Sequence, residues 1–139
     1  MEIADVKQQV VVAMARAKRR AAERRVRVDS ATSTYEVFLE RTAVPVIRQL
    51  SAVLRAEGHV FDVATPSGSV RLTSDRAGDD YIELSLDTTG DVPMIVGRTS
   101  RRRGQRVLQS ESTVGESAEV TEQDVLGFLL NELEPFIER

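Results

Sequence analysis

Residues 81–87 alternate without a break: Ile82, Leu84 and Leu86 fall on one side, Tyr81, Glu83, Ser85 and Asp87 on the other. Strict period-two alternation over seven residues describes a strand with one wet and one dry face, and no helix satisfies it. Shorter stretches of the same kind flank it, each closed by a turn signal. Residues 60–65 and 70–75 are joined by Thr65-Pro66-Ser67-Gly68-Ser69, where Pro presets one turn dihedral and Gly accepts a positive φ. A polar, Gly-containing turn at 75–80 follows. Another turn at 88–91 leads to strands over 94–99 and 106–112, linked through residues 100–105. Connections this short imply antiparallel neighbours, since a parallel crossover needs a dozen residues or more. The region 60–112 therefore predicts a meander of about five strands with a single covered face.

Helical patterns stand on both sides of it. In residues 1–28, Ile3, Val6, Val10, Ala13 and Ala17 recur three or four apart, with no Gly or Pro between them. The stripe is as narrow as a coiled-coil seam, and its Val/Ala content buries little area per residue. Such a helix needs a partner, in its own chain or in a second copy. These five residues are the candidate homodimer interface, and 1–28 the candidate dimerisation arm. Residues 28–34 are polar and β-branched and predict a linker. Ser33 and Glu36 have capping-box spacing, placing the start of a second helix near Tyr35 and its end near Glu57, with Gly58 as the left-handed stop. Its apolar face would be Phe38, Leu39, Thr42, Val46, Ile47, Leu50, Val53 and Leu54. Pro45 removes one helical hydrogen bond, at a cost on the order of 3 kcal/mol in an exposed helix, and predicts a kink or a break into two helices, the kink being preferred because the apolar pattern resumes after it. After the sheet, Thr121 and Asp124 mark the start of a third helix. Its wide stripe is Val125, Leu126, Leu129, Leu130, Leu133, Phe136 and Ile137. The expected fold is α+β in one domain, residues 1–139: two N-terminal helices, the meander, and a C-terminal helix packed on one face of the sheet.

Composition narrows the chemistry. With 41% apolar and 29% charged residues the chain suits an ordinary folded domain. Without cysteine, disulfides and thiolate metal sites are excluded. No apolar run approaches membrane-spanning length and no address precedes the first helix, so a cytoplasmic protein with no membrane partner is the expectation. Of 19 basic residues only Lys7 and Lys18 are lysine, a bias of the kind a GC-rich bacterial genome imposes. His59 is the single histidine, and beside Gly58 it reads as a helix-end residue rather than a base. A serine relay would have to use His59, and no nucleophile elbow accompanies it. Asp79 and Asp80 read as turn formers rather than cation ligands. No cofactor motif is present, and nothing marks an enzyme.

Charge is uneven. Residues 1–58 carry 11 basic and 7 acidic side chains; residues 59–139 carry 8 and 15. Arginine gathers over residues 16–27, including Arg19, Arg20 and Arg24, and over 98–106 at Arg98, Arg101, Arg102, Arg103 and Arg106. Guanidinium forks match phosphate oxygens, so both clusters are candidate phosphate or nucleic-acid contacts. Against that stand the acidic balance and only six aromatics. The leading expectation is a homodimeric protein-interaction or adaptor module that binds itself and a further protein. Nucleic-acid binding through the two clusters is the alternative. A small anionic-ligand binder or enzyme, with Arg98 or His59 at a pocket, is a third.

Overall fold

The structure, a computed structural model, describes residues 1–138. The α+β expectation and the meander hold. Five antiparallel strands lie in chain order: β1 (Phe61–Ala64), β2 (Ser69–Ser74), β3 (Tyr81–Asp87), β4 (Met94–Arg103) and β5 (Arg106–Gly115). Register pairs Val70 with Leu84 and Leu72 with Ile82, and sets Ile95 opposite Leu86. These side chains share one face. Val70, Leu72, Leu84 and Ile95 are sealed from water there, and Ile82 almost so. A C-terminal helix, α3 (Glu122–Glu138), lies on that face. Its first turn is closed by a reciprocal capping box: the Thr121 N–H donates to Asp124 Oδ2 (2.9 Å), and the Asp124 N–H donates to Thr121 Oγ1 (3.2 Å).

The N-terminal helices differ from expectation. The chain never leaves a helical path between Ile3 and Ala56. α1 (Ile3–Phe38) passes through a π-helical turn at Leu39–Ala43 directly into α2 (Val44–Ala56). No linker exists at residues 28–34, and Ser33 caps nothing. The hydroxyl of Thr34 bonds back to the Ser30 carbonyl (3.1 Å), so a residue that reads as a loop former is satisfied within the helix. Below it, Tyr35 and Phe38 are buried against the core and hold this turn in place.

The π turn is the consequence of Pro45. Proline cannot donate to the carbonyl of Arg41, and its ring crowds that turn. Instead the Val44 N–H bonds to the Leu39 carbonyl, five residues back, and Pro45 falls in the first turn of α2, where its missing donor costs little. The extra residue also turns the apolar stripe. Phe38 is followed by Ala43, Ile47, Leu50 and Leu54 in the core, whereas Thr42 and Val46 are only partly covered and Val53 is exposed. α2 ends as expected. Gly58 takes φ 88°, its N–H bonds to the Arg55 carbonyl (3.1 Å), and the His59 N–H bonds to the Leu54 carbonyl (2.8 Å). Ser51 then donates to the Phe61 carbonyl (2.7 Å), tying α2 to β1.

Candidate interaction surfaces

Every residue from Met1 to Arg27 is exposed. That includes all five seam residues, Ile3, Val6, Val10, Ala13 and Ala17, and beside them Val11, Val12 and Met14. The helix fastens to the rest of the protein only from Arg24 onward. Arg24 Nη2 donates to the Thr89 carbonyl (2.8 Å) and, more weakly, to that of Thr88 (3.3 Å), and Arg27 Nε donates to the Asp91 carbonyl (3.1 Å). One turn on, Ser117 donates to the Ala31 carbonyl (3.3 Å), and the Tyr35 hydroxyl to that of Gly68 (2.8 Å). At 1.5 Å per residue, the free part preceding Arg24 projects about 30 Å from the body. Arg24 is thus taken up by the fold, while Arg19 and Arg20 make no ion pair among the described residues.

The second arginine cluster is not a loop. Arg101, Arg102 and Arg103 continue β4, and the connection shrinks to Gly104 and Gln105. Alternation therefore divides the cluster between two faces. Arg98 and Arg102 lie on the polar face and are neutralised there: Arg98 Nε meets Glu111 at 3.3 Å, and Arg102 pairs with Asp79. Arg101, Arg103 and Arg106 share the other face, and none makes an ion pair among the described residues. Arg103 and Arg106 stand directly opposite one another, which costs rather than adds stability. Ten residues of β4, about 30 Å of strand, separate this tip from the loop that holds α1. The two clusters do not converge.

The polar face carries a ladder of alternating charge, with Glu83 buried within it. Register sets Arg71 beside Glu83, Glu83 beside Arg98, and Arg98 beside Glu111. Arg71 grips Glu83 through Nη2 (2.7 Å) and Nε (2.8 Å) and lies 3.9 Å over the Tyr81 ring. A groove of about 560 Å³ opens between this face and α1, lined by Tyr35, Glu36, Glu83, Asp87 and Arg98 among others. Its acids outnumber its one arginine, and Arg98 is already flanked by Glu83 and Glu111. The expected meeting of Arg98 with an anion therefore has poor electrostatics. Burial, and secondarily the charge of Glu83, push the Tyr35 hydroxyl up to about 12. Hydrogen bonds from the Thr89 hydroxyl (2.6 Å) and N–H (2.9 Å), with a smaller contribution from Arg98, hold Asp87 below its ordinary range.

His59 lines a separate cavity of about 190 Å³ with Asp75, Arg76 and Phe136. Asp79 and Asp80 serve the fold: Asp80 Oδ1 accepts the Arg102 N–H (2.7 Å), and Asp79 holds the Arg102 guanidinium, so the turn clamps the β4–β5 hairpin. No cluster of acids and histidine able to hold a metal ion occurs among the described residues. No helix among them is long and apolar enough to cross a membrane. Comparison with protein-family models, with curated proteins and with solved structures finds no match.

Proposed function

We propose that this chain is a protein-interaction module that acts as a homodimer joined through the exposed half of α1. One observation carries the reading: a helix of 36 residues projects more than half its length into water with an apolar stripe uncovered. Most helical stability in proteins comes from packing an amphipathic face, and this stripe gains only by being covered. Fully burying one Val or Ile side chain contributes about 1.5–3 kcal/mol, so three per arm suffice for reversible pairing, though not for an obligate dimer. Val6→Glu combined with Val10→Glu is expected to convert a dimer to a monomer in light scattering at tens of micromolar. The melting temperature of the body should hardly move, because the body touches neither residue. A wild-type chain that is monomeric under those conditions would overturn the reading.

A second reading is favoured by one feature, the unneutralised Arg101, Arg103 and Arg106 on one face of the hairpin. Like charges held opposite one another without an acid suit a polyanion such as a nucleic-acid backbone. Replacing all three by Ala is then expected to abolish retardation of DNA or RNA in a low-salt gel, and salt should weaken wild-type binding steeply. No retardation by the wild-type chain at low salt would dispose of it.

A further inference from the structure

We infer that two copies of α1 pair antiparallel, with Val6 and Val10 of one arm level with Ala17 and Ala13 of the other. This rests on the homodimer reading above and adds the direction of pairing, which two independent features of the arm fix.

The first is charge. Residues 1–15 hold Glu2, Asp5 and Lys7, whereas residues 16–27 hold seven basic side chains and one acid, Glu23. Parallel arms would set two of these basic segments side by side. Paired helices lie 8–10 Å apart, about one Debye length at physiological salt, so that repulsion is only partly screened. Antiparallel arms bring Glu2 and Asp5 of one copy beside Arg16, Lys18, Arg19 and Arg20 of the other.

The second is size. Along the seam the branched residues Ile3, Val6 and Val10 come first and Ala13 and Ala17 last. In a parallel pair the branched layers would hold the helices apart while Ala faced Ala across a gap that forfeits contact. In the antiparallel pair the layers at Val6 and Val10 each join one Val to one Ala, so the helices keep a single close separation. The overlap also fits the fold. Ile3 comes level with Arg20 of the second copy, one turn short of Arg24, where α1 meets its own body through Thr88 and Thr89. The overlap runs the full free length of each arm and sets the two bodies at opposite ends.

The chain has no cysteine, so introduced thiols report cleanly. Val6→Cys chains mixed with Ala17→Cys chains are expected to cross-link under mild oxidation. Their yield should exceed that of either variant alone by about tenfold, because a disulfide needs Cα atoms within about 7 Å. In an antiparallel pair of Val6→Cys chains the two thiols lie eleven residues apart along the axis, about 16 Å. Efficient self-linking of Val6→Cys would show parallel arms, overturning the direction while leaving the homodimer standing. A dimer in light scattering that cross-links in no combination would place the interface elsewhere and overturn the arm pairing. A monomer would overturn both.

Discussion

Gly97→Ala is expected to destabilise the protein by about 3 kcal/mol, a strain term joined to partial exposure of an aromatic ring. Gly97 sits on the covered face of β4, opposite Leu84, and the Phe128 ring of α3 rests directly on its backbone. A Cβ there would overlap Cζ and Cε2 of that ring and stand 2.7 Å from Cε1. No rotamer adjustment of tenths of an ångström relieves such an overlap. The ring must leave, and with it goes the contact that seats the first half of α3 on the sheet. For a chain of this size the melting temperature should fall by about 10 °C. Phe128→Ala alone should cost about 2 kcal/mol, less than a fully buried Phe because the ring is only partly covered. The double variant should cost no more than Phe128→Ala, since the overlap has vanished, which makes the two changes strongly non-additive. A Gly97→Ala protein that melts within a degree of wild type would mean that this ring does not cover β4.

Neither member of that contact is legible in the sequence. Gly97 reads as a strand glycine without a phosphate-loop context, and Phe128 falls outside the stripe that periodicity assigns to α3. The stripe itself is narrower than it reads. Val125, Leu129, Leu133 and Phe136 are buried, whereas Leu130 (48% exposed) and Ile137 (36%) face outward. Hydrophobicity alone does not say how wide a face the sheet can accept. The sheet is the opposite case. Alternation at residues 81–87 marks both boundaries of β3, because a half-buried strand writes its face into every second residue. β4 runs farther than it reads, since Arg101, Arg102 and Arg103 resemble a turn by composition while their backbone pairs with residues 106–108.

The N-terminal helix departs from its sequence pattern for two separable reasons. Ser30, Thr32, Ser33 and Thr34 carry loop propensity, yet tertiary burial of Tyr35 and Phe38 outweighs a few tenths of a kcal/mol per residue of helix preference. The π turn is a response to Pro45 and shifts the stripe by one residue, which no regular period anticipates. Of the candidate site residues, the five of the seam all lie exposed on α1. The arginine clusters fare differently: Arg24, Arg98 and Arg102 are taken up by carbonyls and acids of the fold, and only tertiary pairing reveals which arginines stay unneutralised.

Hydrogen exchange along residues 3–20, followed across a hundredfold range of protein concentration, tests the pairing of the arms most directly. A helix covered only by a second copy owes its protection to mass action. At a total chain concentration one hundred times the dissociation constant about 7% of the arms stay unpaired, because each copy is also the ligand, so pairing slows exchange by roughly fifteenfold relative to the free arm. Protection in this segment should therefore climb with concentration, while β3 and α3 stay constant and the Val6→Glu, Val10→Glu chain shows no rise. Rapid exchange of residues 3–20 that is the same at every concentration would contradict the homodimer.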